Sequence, residues 1–435
     1  MYNLLNLLAA IALLVWGTHT VRTGILRVLG GSLRDLLASS MNKPALAFVS
    51  GLGVSSLLQS STATCLIVSS FVGQGIFLTS TALIMMLGAD VGTSLMALMF
   101  SFDLSWLSPL LIVLGVVVFV ANQNNTWGRW GRVSIGLGLM TLALHLIVEA
   151  TTPITQSHGM HVLLSVLPND PVILILIGAL LTVVSYSSLA MVLLTATLCH
   201  TQVVSMSMAL SLVLGANLGS GLLAFLTMSK SSADVRRVPL GNLIFKALGC
   251  TLAIPFLSLY IPFADDIQAL GFDAVVSFHF LFNMLLAMSM IMFTGKVGKW
   301  LTQYLPSVEV DNNKVQPKYL DPTALSTPSL AISCAAREAL HQADVVETML
   351  RGIVPVIQNN DALLAAKLRE MDDGVDDLYS AIKFYLTQIS REALSQREGQ
   401  RWADIMSFAI NMEQVGDIIE RVLQDIEDKK IAKGR

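Results

Sequence analysis

Slid by 127 positions, residues 51–100 of this chain meet residues 178–227 without a gap. Two short runs carry the match. Gln59-Ser60-Ser61-Thr62 falls opposite Tyr186-Ser187-Ser188-Leu189, and Leu87-Gly88-Ala89-Asp90-Val91-Gly92-Thr93-Ser94 falls opposite Leu214-Gly215-Ala216-Asn217-Leu218-Gly219-Ser220-Gly221. Chance similarity does not hold two separate motifs at one offset. The pattern is a duplicated unit, and any fold for this chain must contain that unit twice.

The solvent of the repeats follows from composition. The chain is 54% hydrophobic and 13% charged, whereas an ordinary soluble domain is about 25% charged. Only 21 of the 57 charged residues fall in residues 1–300, and 36 fall in the last 135. A membrane part is therefore followed by a polar part. A net charge of -3 leaves no basic footprint, which excludes a nucleic-acid partner. Cys65, Cys199, Cys250 and Cys334 lack metal-ligand spacing and read as packing residues. The first basic residue, Arg22, follows the apolar run Leu4 to Trp16, an order that predicts a retained membrane helix and not a cleaved leader.

A span needs about 20 apolar residues. Stretches near 3–21, 78–100, 106–121, 133–150, 204–227, 238–260 and 274–294 qualify, while 44–72 and 171–200 are broken midway by polar clusters. The broken pair reads as re-entrant hairpins, each made of two half-helices meeting at a serine-rich tip. Such a tip is tolerated at membrane depth where it lines a protein or water-filled cavity. Pro44 and Pro171 suit the entry turns.

With the first helix running inward, Arg22, Arg27, Arg34, Lys43, Arg129, Arg132, Lys230, Arg236, Arg237, Lys296 and Lys299 fall on the inner face. The outer segments, near 101–106, 151–170 and 261–273, contain Asp103, Asp170, Asp265, Asp266 and Asp273 but no Lys or Arg, a positive-inside pattern. Lys246 alone lies within a span, where it is expected to snorkel inward. Three crossings separate corresponding points of the repeats. An odd number inverts one repeat relative to the other and brings the hairpin tips together near the midplane, where secondary transporters bind substrate and coupling ion.

Polar groups at a helix break can offer hydroxyls and free N–H groups to an oxyanion and carbonyl oxygens to a small cation. The candidate site is therefore Gln59, Ser60, Ser61, Thr62, Asp90, Thr93, Ser187, Ser188, Asn217 and Ser220, with sodium expected at Gln59, Asp90, Thr93 and Asn217. The competing reading is that the serines and Gly88, Gly92, Gly215 and Gly219 only let helices approach closely. Asp90 in an apolar run needs a cation, a proton or a strong set of donors; sodium is the functional reading and pairing with Lys246 the structural one. His158 and His161 have metal-pair spacing in a polar loop, where solvation is the simpler role. His19, His145 and His279 read as hydrogen-bonded structural groups. The chain has no nucleophile with a base and no zinc ligand set, so an enzyme is not expected.

After Lys299 a Pro-, Asp- and Asn-rich linker leads to three helical patterns, Ala331 to Leu350, Ala362 to Arg391 and Gln400 to Asp428. Leu378, Ile382, Tyr385 and Ile389 mark one buried face of this antiparallel bundle. Glu370, Asp372, Asp373, Asp376 and Asp377 form an acidic face. Glu370, Asp373 and Asp377 with Glu413 and Asp417 are the candidate divalent-metal ligands, set against a merely solvated face.

Gln59-Ser60-Ser61-Thr62, the repeated Gly-Ala-Asp/Asn-x-Gly-Thr/Ser runs and the inverted duplication resemble the type II sodium/phosphate cotransporter family in its bacterial branch, over about residues 1–300. That family usually has Gln-Ser-Ser in both repeats and Asn in both glycine runs. Here Tyr186 replaces the second Gln and Asp90 the first Asn. Residues 370–379 and 411–419 resemble one three-helix unit of a PhoU-like domain, which implies a phosphate-linked regulatory or metal-binding role. The resemblance also implies the bacterial inner membrane.

The expected fold is all-α: repeat 1 over 1–125, repeat 2 with a final span over 126–300, a linker over 301–328, and a partial PhoU-like cytoplasmic bundle over 329–435. The expected function is sodium-coupled movement of inorganic phosphate by alternating access. The alternative is a membrane-anchored phosphate sensor that transports little. Expected partners are inorganic phosphate, the lipid bilayer, a second copy of the chain and phosphate-regulation proteins.

Overall fold

The structure, a computed structural model, describes residues 2–39, 43–73, 75–102, 106–122, 125–155, 170–306, 315–320, 324–325, 328–389, 394 and 396–431. The chain divides into two compact units, Met1–Ser307 and Val308–Arg435, and every regular element in the described residues is helical.

The first unit contains α1 (Tyr2–Ser39), α2 (Pro44–Leu58), α3 (Ser61–Gly73), α4 (Thr79–Phe100), α5 (Leu107–Ala121), α6 (Thr126–Thr155), α7 (Pro171–Ser185), α8 (Ser188–His200), α9 (Met206–Thr227), α10 (Ala233–Ala253), α11 (Ala274–Met290) and α12 (Thr294–Tyr304). Adding the sequence offset of 127 to the bounds of α2, α3 and α4 returns the bounds of α7, α8 and α9, residue for residue. The duplication is thus preserved as structure.

Six helical stretches are long and apolar enough to cross a membrane: Leu4–Gly30, Thr79–Phe100, Thr126–Thr151, Met206–Thr227, Ala233–Ala269 and Ala274–Tyr304. The seventh span expected, near 106–121, is the 15-residue α5. At 1.5 Å per residue it reaches about 22 Å, short of a hydrocarbon core of about 30 Å. The expected outer segment near 261–273 is also largely helical, with a 3-10 turn at Ile261–Phe263 and a short helix at Ala264–Ala269. Rows of apolar side chains remain exposed, such as Val172, Leu176, Leu180 and Val184 on α7 and Val113, Val117 and Val120 on α5. Such rows suit a hydrocarbon solvent, since a water-soluble monomer rarely exposes contiguous apolar faces.

Glycine sets the closest helix contact in each repeat. A Cβ on Gly88 would lie 2.0 Å from the carbonyl oxygen of Phe48, and one on Gly215 would lie 2.3 Å from that of Ile175. The two contacts are equivalents at the same offset. The close-packing role read for these glycines is therefore real, and it clamps α2 to α4 and α7 to α9.

The second unit is a bundle of α13 (Pro328–Asn359), α14 (Ala362–Thr387) and α15 (Gln396–Ile426). Leu378, Ile382, Tyr385 and Ile389 are all buried, as their spacing predicts. Asn360 takes a left-handed φ of 51° and Asp361 caps α14 by accepting from the Leu364 N–H at 3.0 Å, which turns the chain between helices. Part of the stretch read as linker belongs to this unit. The buried Glu338 carboxylate accepts from the Lys318 and Tyr319 N–H groups, and the Arg337 guanidinium lies 4.3 Å above the Tyr319 ring. A carboxylate buried in a helix face needs donors, and the extended segment supplies them.

Candidate functional site

The two helix breaks share one conformation. Gln59 ends α2 with φ 53° and Tyr186 ends α7 with φ 54°, both left-handed. That region is unfavourable for side chains other than Gly and Asn, and strained residues of this kind cluster at functional sites. The next residues, Ser60 and Ser187, cap the following helices, each hydroxyl accepting at 3.2 Å from the N–H three positions on, Ala63 and Ala190. Ser61 and Ser188 then occupy the first positions of α3 and α8. The positive ends of two helices thus start at serine pairs.

The side chains at the breaks differ. Gln59 is 4% exposed, and its Oε1 is buried without a hydrogen-bond partner in the structure. Tyr186 is 64% exposed, and its backbone is engaged on both sides, the N–H donating to the Val183 carbonyl at 3.3 Å and the carbonyl accepting from Arg22 on α1 at 3.4 Å. Helix α3 packs against α9 and α10, and α8 packs against α4 and α11. Each break therefore belongs to one repeat yet rests on helices outside it. Thr62 makes such a link, donating from Oγ1 to the Ser220 carbonyl at 3.4 Å.

Asp90 is buried, and its Oδ1 pairs with Lys246 Nζ at 2.8 Å. Lys246, 1% exposed, also donates to Ser220 Oγ at 2.6 Å, and Ser220 in turn donates to the Asn217 carbonyl at 2.8 Å. The expected snorkelling of Lys246 is therefore wrong: its charge is turned into the protein, where Asp90 compensates it. Thr93 is engaged elsewhere, with Ser55 Oγ at 2.7 Å.

Asn217, the counterpart of Asp90, meets a neutral set on α11. Its Nδ2 lies 2.9 Å from His279 Nδ1, and its Oδ1 accepts from Asn283 Nδ2 at 2.9 Å. His279 fits its reading as a hydrogen-bonded group, but Asn283 was missed. The signal was present, because His279 and Asn283 stand four apart and share one face in a helix whose other polar residues are only Ser277 and Ser289. A second missed contact is His200 at the end of α8, 2.5 Å from Asp273, whose carboxylate caps α11 at the Val276 N–H. The four residues expected at sodium, Gln59, Asp90, Thr93 and Asn217, thus have different surroundings: Asp90, Thr93 and Asn217 have separate partners, and Gln59 Oε1 has none.

In the bundle, the acidic groups that converge are Asp376, Glu413 and Asp417, with one oxygen from each lying within 4.8 Å of the others. Glu370, Asp373 and Asp377 are exposed, as is Asp376, so burial does not separate them and position on the helix does. Of the expected ligands, Glu413 and Asp417 are in the converging group and Glu370, Asp373 and Asp377 are not: Asp372 and Asp376, four apart, share the face toward α15, while Asp373 and Asp377 sit one position round the helix. Burial, then the nearby Asp376, Glu420 and Asp417, push the Asp372 carboxyl up to about 6. Oxygen ligands of this kind suit a hard divalent cation. His158 and His161 lie outside the described residues.

Comparison with known proteins places this chain in a family. A chain named "Putative inorganic phosphate export protein YjbB" is 45% identical in Escherichia coli strain K12 and 46% in Salmonella typhimurium, over all of this chain and 80% of each relative. The Bacillus subtilis protein YqeW, named as uncharacterized, is 23% identical over 71% of this chain and its own full length. No solved structure matches the chain. The PhoU domain model matches residues 340–426. The Na+/Pi-cotransporter model matches residues 13–149 and 152–302, and the chain belongs to the Na+/Pi-cotransporter family.

Proposed function

We propose that this chain moves inorganic phosphate across a bacterial inner membrane by alternating access, with sodium as the coupling ion and net flow outward. The observation that carries the reading is the matched pair of left-handed breaks, each followed by a serine cap and a helix N-terminus. A membrane anchor or sensor has no use for two such breaks in apolar helices. Gln59 Oε1, buried and unpartnered, supplies a hard oxygen for sodium at the first break. Family membership supports phosphate and sodium, and the names of the 45–46% identical relatives support the outward direction.

In this reading α2–α3 and α7–α8 are re-entrant hairpins, α5 is a thin third crossing, and the repeats are inverted. The bundle is then cytoplasmic. Single cysteines at Asn125 and Lys230 are expected to react only from the cytoplasm, and one at Asp265 only from outside. Periplasmic labelling at position 230 would overturn the inversion.

Phosphate flux in proteoliposomes tests the function itself. Losing one hydroxyl donor to a desolvated anion costs about 1.5 to 3 kcal/mol, or roughly tenfold or more in affinity. Ser61→Ala and Ser188→Ala are each expected to raise the phosphate concentration for half-maximal flux by that factor. Parental flux from both variants would leave the serines with a packing role only.

A further inference from the structure

One ammonium joins the two repeats. Lys246 Nζ lies 2.8 Å from Asp90 Oδ1 in the first glycine run and 2.6 Å from Ser220 Oγ in the second. All three residues are buried, at 1% exposure for Lys246, 4% for Asp90 and 3% for Ser220. A carboxylate and a hydroxyl from facing repeats are hard oxygen ligands of the kind a small hard cation takes. Here a side chain occupies that position.

We infer that Lys246 is a tethered cation, filling permanently a position that a mobile sodium ion would otherwise take. The inference deepens the transport reading and rests on it for its meaning. Charge enters this part of the duplication as a pair. Asp90 brings a negative group and Lys246 the positive one, whereas the matched Asn217 meets His279 and Asn283 through hydrogen bonds. Gly221 leaves room for the lysine stem, since a Cβ there would lie 3.3 Å from Lys246 Cδ.

The consequence for coupling is direct. A sodium ion that travels with phosphate ties the flow to the sodium gradient, which in a bacterium favours entry. A cation fixed to the protein compensates Asp90 in both orientations of the site and never crosses. The carrier then moves one sodium fewer per phosphate, which removes part of the inward drive and fits net export.

The test is sodium-specific stability of the full chain in detergent, compared in sodium chloride and N-methyl-D-glucamine chloride at equal ionic strength. Lys246→Ala is expected to gain a saturable, sodium-dependent rise of a few degrees in unfolding midpoint, beyond any shown by the parent. That gain is expected to vanish in Asp90→Asn/Lys246→Ala. A Lys246→Ala protein with the parent's sodium response would overturn the proposal and leave the pair as a structural lock. Recovery of folded Lys246→Ala only when membranes are extracted in sodium counts for the proposal, and failure in both salts counts against it. Lys246→Gln, which keeps a donor for Ser220, is scored the same way. The readout does not depend on phosphate, so absence of flux from the parent would sink the transport reading and leave this result standing. If flux is present, its sodium order in the Lys246 variants is expected to rise by one, and an unchanged order is a second way to overturn it.

Discussion

The two repeats share a backbone and differ in the charge and burial of their polar side chains. Helix bounds, left-handed breaks, serine caps and glycine contacts recur at one offset. Gln59 is buried where Tyr186 faces outward, and Asp90 is ion-paired where Asn217 is only hydrogen-bonded. The shared features are those that backbone geometry demands. The differing ones are side chains of the proposed site, so the asymmetry in charge and burial centres on the first break and the first glycine run.

The largest expected effect comes from removing Asp90. Taking one partner from a buried pair leaves an uncompensated charge, at a cost of about 3 to 5 kcal/mol. Asn217→Ala removes hydrogen bonds from neutral groups, for about 1 to 3 kcal/mol. Thermal unfolding in detergent is expected to rank Asp90→Ala well below Asn217→Ala, and sodium is expected to rescue neither. Equal losses from the two variants would mean that the Asp90 and Lys246 charges contribute no more than the neutral network opposite them.

Most of the frame was legible in the sequence because it was written twice. Once Pro44 and Pro171, Gln59 and Tyr186, and Gly88 and Gly215 were aligned, the positions of six helices followed from one offset. The bundle was legible for a different reason: Leu378, Ile382 and Tyr385 repeat at helical spacing and are buried as that spacing requires. What escaped depends on contacts between distant elements. The sequence left Asp90 with two possible cations, and the packing of α10 beside α3, α4 and α9 brings Lys246 to it. The docking of Lys318 and Tyr319 on Glu338 was hidden for the same reason, since a proline-rich stretch reads as linker until its backbone donors find a buried carboxylate.

An intermediate effect tests the shared half of the comparison. Gly88→Ala and Gly215→Ala each push a methyl group against a carbonyl of the facing helix, and overpacking of that kind costs about 1 to 3 kcal/mol. The two losses are expected to be of similar size, because the two methyl groups meet equivalent carbonyls at 2.0 and 2.3 Å. Gly53→Ala, mid-helix with open space around its Cβ position, is the control and is expected to raise the midpoint slightly, by about 0.5 to 1 kcal/mol of stability. If Gly215→Ala is tolerated while Gly88→Ala is not, the second clamp is looser than the first and the repeats are less alike than their helix bounds imply.

The smallest effect separates strain from ligation at the breaks themselves. A non-glycine residue in the left-handed region costs about 1 to 2 kcal/mol, partly offset by the 0.5 to 1 kcal/mol that glycine loses in chain entropy. Tyr186→Gly sheds an exposed ring and keeps the carbonyl that Arg22 reaches, so it is expected to stabilise the protein slightly, by about 0.5 to 1 kcal/mol. Phosphate flux is expected to survive that change, because nothing of the Tyr186 side chain faces the buried polar groups. Gln59→Gly relieves the same backbone strain but deletes the buried Oε1 and leaves a hole where the side chain packed, which offsets the gain in stability. Flux is therefore expected to fall sharply in Gln59→Gly at an unfolding midpoint near the parent's, and raising the sodium concentration is expected to recover part of it. Parental flux and sodium dependence in Gln59→Gly would show that the amide oxygen holds no ion, and the side chain at the first break would then be as passive as the Tyr186 ring at the second.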